Sequence, residues 1–172
     1  EEIVVRYSGV GARSRWVPVT GDHGLVRLLL EQDDPPRFLA LKGNEAAGFG
    51  CPDPVSVLFS AALGMMGSRR PRTELLVWGG VALPEAVAAF VHSGARGVVF
   101  ESVHWLTSLV GAPGPVSQAL STMRPDSTRT VGGSLNLSGR FFDRGNSTVV
   151  RELDRLALEQ GGADVTEGAR RT

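Results

Sequence analysis

The chain has 172 residues, enough for one domain with a proper core. It carries 18 Lys+Arg against 18 Asp+Glu, so its charge gives no grounds for a nucleic-acid partner or an anionic membrane surface. A single cysteine, Cys51, excludes an internal disulfide framework and points to a reducing cytoplasm.

The histidines (His23, His92 and His104) are scattered, with no Cys or His cluster at metal-ligand spacing, so no metal is expected. No apolar run approaches the ~20 residues that a bilayer span needs, and no signal peptide opens the chain. Because the first residue is Glu1 and not Met, the expectation is a segment of something longer. Nearly all the positive charge is arginine. Lys42 is the only lysine.

The first two thirds alternate short β-branched runs with helical patterns, as βαβ units with a parallel sheet do. Residues 3–7 (IVVRY) read as a strand, and a Gly/Ser/Arg loop follows over 8–15. Residues 16–20 (WVPVT) form a second strand, after which Asp22 can cap a helix carrying Leu25, Leu28 and Leu29 on one face. Residues 38–41 (FLAL) are the third strand and lead into Lys42-Gly43-Asn44-Glu45-Ala46-Ala47-Gly48. Asp53-Pro54 starts a helix, the aspartate as cap and the proline in the first turn, with Val55, Leu58, Phe59, Ala62 and Leu63 facing a core. The fourth strand is 75–78 (LLVW), ending at Gly79-Gly80. Pro84 opens a helix that Gly94 closes, and 97–100 (GVVF) is the fifth strand.

There the alternation stops. A Gly/Pro connector at 111–115 precedes a short helix over 116–123, a hairpin within 128–142 turning at Gly132-Gly133, and an amphipathic helix over 147–160. That helix is expected to face Val149, Leu153, Leu156 and Ala157 inward. Residues 161–172 are polar and small, a flexible tail. The domain reading is therefore 1–110, an appended helix/hairpin/helix segment at 111–160, and the tail. Five strands fit a flavodoxin-like open sheet outright, or part of a closed barrel, which needs eight strands and roughly 250 residues.

Three strand ends carry glycine or small polar residues: Gly43…Gly48, Gly79-Gly80 and Glu101-Ser102. In a parallel barrel these tips lie side by side at the C-terminal rim, where glycines let backbone N–H groups approach an anion. Each glycine alone is explained by the needs of a turn. Their occurrence after consecutive strands is the stronger signal.

The segment Lys42-Gly43-Asn44-Glu45-Ala46-Ala47-Gly48 resembles the G-x-E-A-G-G-H segment of nitronate monooxygenases and flavin-dependent enoyl-ACP reductases. Gly79-Gly80 followed by AVAAFVHSGARGVVFES (86–102) is similar to that family's closing motif, and the order and spacing agree over about residues 16–109. The variant most similar is the divergent one fused into, or encoded beside, polyketide and polyunsaturated fatty-acid synthases. The resemblance implies an α/β fold, the C-terminal part of a (β/α)8 TIM barrel of about five βα units followed by a small α+β tail. It implies FMN as cofactor, with Gly48, Gly79, Gly80 and Ser102 forming the phosphate site and Gly43 and Asn44 near the flavin rim. It also implies an N-terminal half-barrel, or the rest of a larger synthase chain, as partner, with acyl-carrier protein as another.

Two departures matter for chemistry. The family's histidine after the paired glycines is Phe49 here, and phenylalanine cannot transfer a proton, so no catalytic residue is assigned. Ala47 and Glu101 replace glycines of the phosphate-contacting turns. A Cβ at Ala47 would crowd the backbone approach, and a carboxylate at Glu101 would repel a phosphate if turned toward it. Two functions follow: an FMN-dependent oxidoreductase-type domain serving a polyketide or fatty-acid assembly line, or a silent barrel remnant acting there as scaffold or docking domain.

The remaining candidates have plain structural readings. Glu45 is either a flavin-site carboxylate or a cap on nearby N–H groups. His23 and His92 read as surface groups, the latter placed well for a helix dipole. His104 and Trp105 follow the last strand at the expected rim. Cys51 has no neighbouring basic residue in sequence to lower its pKa. Arg69-Arg70-Pro71-Arg72 is a basic turn, solvated by default and, in a sharper reading, a contact for an acidic carrier protein.

Overall fold

The computed structural model describes residues 17–49, 51–67, 72–101, 104, 107, 111–132, 138–143 and 147–168. The expected strand at 3–7, the Gly133 half of the hairpin turn, Arg69-Arg70-Pro71, Ser102 and Trp105 lie outside the described residues.

Strand β1 (Val19–Thr20) leads into helix α1 (His23–Leu30), whose start is fixed as the sequence predicts: the Asp22 carboxylate accepts from Leu25 N at 2.8 Å. Strand β2 (Phe38–Lys42) is followed by a loop holding the two-residue strand β3 (Gly48–Phe49), and then by helix α2 (Val55–Met66). Strand β4 (Glu74–Trp78), helix α3 (Pro84–His92) and strand β5 (Gly97–Val99) complete the alternation. Pro84 sits in the first turn of α3, and Gly94, at φ 108°, ends it.

The strands β1, β2, β4 and β5 lie in that order in one parallel sheet, with Ala40 opposite Val19 and Leu76, and Lys42 opposite Trp78. Residues alternate between the two faces of a strand, so Leu39, Leu41, Leu75 and Val77 share one face. That face carries all three helices. Val26 of α1, Val55, Leu58, Phe59 and Ala62 of α2, and Ala86, Val87 and Phe90 of α3 join one hydrophobic core with those strand residues. Phe59 and Phe90 meet edge to face at 5.5 Å, tying α2 to α3.

This winding separates the two folds left open by strand count. A doubly wound sheet reverses its strand order at a switch point and puts helices on both faces. Here sequence order equals spatial order and the helices keep to one face, the arrangement of βα units in a barrel wall.

The second layer is antiparallel. Helix α4 (Gly114–Ser121) and a 3-10 turn (Pro125–Ser127) lead into β6 (Thr128–Val131), which pairs with β7 (Gly139–Phe142) as the expected hairpin. Strand β7 also pairs with β3, placing Gly48 opposite Arg140, so the hairpin is joined to the loop after β2. Helix α5 (Thr148–Gly168) runs past residue 160, where the sequence reading ended it. Its inward face agrees with the expectation at Ala157 and, half-buried, at Leu153, but not at Val149 or Leu156. Val150 and Ala157 are buried, whereas Val149 and Leu156, expected inside, are exposed. Arg129 of β6 pairs with Asp154, anchoring the helix on the hairpin.

Leu58 has 0% exposure at the centre of the core, so Leu58→Ala is expected to cost about 2–5 kcal/mol. Val149→Ala, at 66% exposure, should change stability by less than about 0.5 kcal/mol. Urea unfolding of both variants checks the contrast, and equal losses would contradict this core.

Candidate functional site at the strand tips

The C-terminal ends of β1, β2, β4 and β5 lie side by side because the register holds them level, Lys42 opposite Trp78 and Trp78 opposite Val99. The loop after β2, residues 43–54, crosses all of them. At β1, Gly21 is packed so closely that a Cβ there would lie 2.4 Å from Cys51 Cβ and 2.6 Å from Lys42 O. At β4, Gly79 and Gly80 adopt φ values of 123° and 63°, and a Cβ on either would stand 3.0 Å from Ala46 N or 3.3 Å from Glu45 Cβ. At β5, the Glu101 carboxylate accepts from Ala47 N at 2.7 Å.

Within this loop the sequence-predicted residues have definite places. Gly43 is buried, and its N–H donates to Trp78 O at 2.9 Å. A Cβ at Gly43 would sit 2.4 Å from both Glu45 Oε2 and Val55 N, because Glu45 folds back to accept from Val55 N at 3.0 Å. The carboxylate thus caps α2, the structural alternative for Glu45. Asp53, expected as that cap, does not serve. Pro54 takes the cap position without a side-chain bond, while Asp53 Oδ2 faces His23 Nε2 at 3.0 Å.

Asn44 turns toward the protein, its Nδ2 donating to Pro52 O at 2.7 Å and its carbonyl accepting from Arg140 Nε at 2.7 Å. Gly48 has φ 70° and open space where a Cβ would project. The loop therefore packs on Gly79 and Gly80 through Ala46 and Glu45 and on Trp78 through Gly43, while Gly48 pairs with Arg140 in the second sheet. Ser102 lies outside the described residues, and the Phe49 side chain is likewise not described.

On the sheet face opposite the helices, Lys42 Nζ lies over the Trp78 ring at 4.8 Å. Trp78 Nε1 is buried and has no hydrogen-bond partner among the described residues. Between the loop and the hairpin, the seam lined by Asn44, Gly48, Cys51, Ser138 and Arg140 leaves no room for a small molecule among the described residues.

Cys51 is buried beside Asp53, and its pKa is raised. Burial is the largest cause. The Asp53 N–H, 3.2 Å from the sulfur, pulls the other way, and the Asp53 and Asp22 carboxylates push it further up. The thiol is a packing group and not an activated nucleophile. His92 ends α3 exposed, as expected, and His104 O accepts from Thr107 N and Oγ1.

Three contacts escaped the sequence reading: His23–Asp53, Glu101–Ala47 and Arg140–Asn44. They join positions 30, 54 and 96 residues apart, and no local periodicity carries such information. Only Glu101 had a signal, as a carboxylate where a glycine was expected.

No protein-family model and no curated protein matches the sequence. Solved structures do match in fold. FabK from Thermotoga maritima superposes with a TM-score of 0.65 at 19% identity, over 90% of this chain and 48% of that one. A mutant form of the same protein gives 0.64 at 16% identity, over 81% of this chain and 42% of that one. Nitroalkane oxidase from Streptomyces ansochromogenes gives 0.56 at 18% identity, over 73% and 38%. The chain spans less than half the length of each of these three structures.

Two outcomes check the loop. Gly43→Ala should cost about 1–3 kcal/mol by overpacking, and Glu45→Ala about 0.5–2 kcal/mol by uncapping α2. Because both act on one contact, the double variant should lose less than the two losses added together, which a double-mutant cycle in urea measures.

The raised Cys51 pKa sets a pH direction. The folded chain holds the thiol proton more tightly than the unfolded chain, so this stability is complete below about pH 8.5 and is lost as pH rises through the folded value. Cys51→Ala should flatten the alkaline limb of the stability–pH curve. Native Cys51 should react with iodoacetamide at least about tenfold more slowly than in urea.

Proposed function

We propose that this chain is an oxidoreductase-type domain resembling nitronate monooxygenases and flavin enoyl reductases, which supplies the phosphate-side rim of an FMN site in a polyketide or fatty-acid synthase system. The observation that carries the reading is the convergence of the β1, β2, β4 and β5 tips under one glycine-bearing loop.

The residues fit a phosphoryl group in most respects. Gly79, Gly80 and Gly48 present backbone without a Cβ at positive φ, and open space lies outside Gly48. Bound FMN would supply the redox chemistry. The chain's part is to hold the phosphate through backbone N–H groups at Gly48, Gly79 and Gly80. Gly43, buried beside Glu45 and Val55, and Asn44, bonded to Pro52 and Arg140, hold the loop over the strand tips. Proton transfer by the residue after Gly48 is excluded, since Phe49 has no exchangeable proton.

The partner in this reading is a further set of βα units. Strand β5 ends the described sheet, and beside it lies an apolar groove of about 460 Å³ lined by Ala82, Pro84, Val87, Ala88, Val91 and Phe100. An unpaired parallel edge flanked by apolar surface is what adjoining barrel units would cover. The share of length matched in the solved structures supports the same occupant. Acyl-carrier protein, an acidic partner for the Arg-rich turn before β4, is the second partner proposed.

A second reading is favoured by Phe49 and Glu101, the two departures from the resembled motif: a silent barrel domain that serves as scaffold in the same assembly line.

FMN titrated into the full chain, followed by quenching of flavin fluorescence, tests the first reading. Saturable binding that Gly80→Ala weakens at least about tenfold is expected, because a Cβ there meets Glu45 at positive φ. A protein that takes up no flavin at millimolar concentration, yet co-purifies with the carrier protein, belongs to the second reading.

A further inference from the structure

We infer that Glu101 is an intramolecular strap: its carboxylate occupies the anion position of the strand-tip loops, so a ligand phosphoryl group must displace it before binding there. This rests on the reading of those loops as a phosphate rim.

The bond joins tips that are not neighbours. Glu101 follows β5, and Ala47 lies in the loop that follows β2. Strand β4 stands between them. With strands about 4.8 Å apart, the side chain ties loops two strand spacings distant. The Gly79-Gly80 turn ends the strand between them, its glycines at positive φ and close to Glu45 and Ala46.

A carboxylate oxygen and a phosphoryl oxygen make the same demand on a backbone N–H. Each accepts a charge-assisted hydrogen bond, and the two anions repel when they share a site. At 2.7 Å the Ala47 N–H is fully engaged, and it directly precedes Gly48, the loop residue with open space around it. The chain thus fills with its own carboxylate the place where an external anion would be read.

Two variants separate occupancy from charge. Glu101→Ala removes both, whereas Glu101→Gln keeps the shape and an acceptor oxygen but removes the charge. In the full chain, amide hydrogen exchange at Ala47 is expected to quicken at least about tenfold in Glu101→Ala and to change less in Glu101→Gln. FMN is expected to bind Glu101→Ala roughly tenfold or more tightly than wild type, the loss of one charge-assisted bond. Riboflavin, which lacks the phosphate, should bind both alike.

Unchanged Ala47 exchange in both variants would overturn the strap and leave the flavin reading standing. Phosphate-dependent FMN binding that is equally tight in wild type and Glu101→Ala would do the same. Quickened Ala47 exchange with no FMN binding in any form would sink the phosphate rim itself, and this inference with it. Glu101→Gln, nearly isosteric, keeps the test readable if Glu101→Ala unfolds.

Discussion

The structure depends on one carboxylate folding into the space that one glycine leaves. Glu45 reaches back over Gly43 to the Val55 amide, and no residue with a Cβ at position 43 leaves room for it. That contact sets where α2 begins, because the first N–H groups of a helix have no intrahelical partner and Val55 is only 2% exposed. It also fixes the path of the loop over the strand tips. Since α2 carries the centre of the core and the loop carries the rim, a single hydrogen bond couples the two.

The loop then works as a hub between layers. On one side it rests on the parallel sheet through Gly21, which has no room for a Cβ, and through Gly79 and Gly80, whose positive φ and tight contacts disfavour one. On the other it contributes β3 to the antiparallel sheet and offers Asn44 O to Arg140. Arg140 extends the link by donating to Thr128 Oγ1 of β6. The hairpin is therefore an attachment to the rim and not an independent unit, and the space left between hairpin and loop is correspondingly small.

Much of this was legible in the sequence, for identifiable reasons. Strands and helices of the βα units announce themselves through β-branched runs, an Asp22 cap, a Pro84 start and a Gly94 stop, all local signals that the structure keeps. The Gly79-Gly80 pair was readable because positive φ leaves little choice of residue. What local pattern could not decide was which of two carboxylates caps α2. Asp53 stands at the right sequence position, but His23 from α1 claims it, and Glu45 arrives from ten residues upstream. The face of α5 was misplaced in part, for a related reason. Of Val149, Leu153, Leu156 and Ala157, Ala157 is buried, while Val150 takes the place of Val149 against the hairpin layer and Leu156 is exposed. Strand count left the winding undecided, and the order of the described strands with helices on one face is consistent with a partial barrel.

The two loop carboxylates do different physical work, and the difference lies in what each N–H would face without it. The Val55 amide is buried, so losing Glu45 would strand an unsatisfied donor at a cost water cannot easily offset. The Ala47 amide is at an exposed residue, where water can take the place of Glu101 and leave no donor stranded. Glu101 is therefore not needed to satisfy a donor. What its bond does is constrain position, holding the loop of β2 to the end of β5 across the turn of β4. A contact whose loss strands no buried donor is the kind a competing anion can displace, whereas the Glu45 cap cannot be displaced without disturbing α2. The loop thus meets one carboxylate of its own, which builds it, and one from the end of β5, which holds it in place.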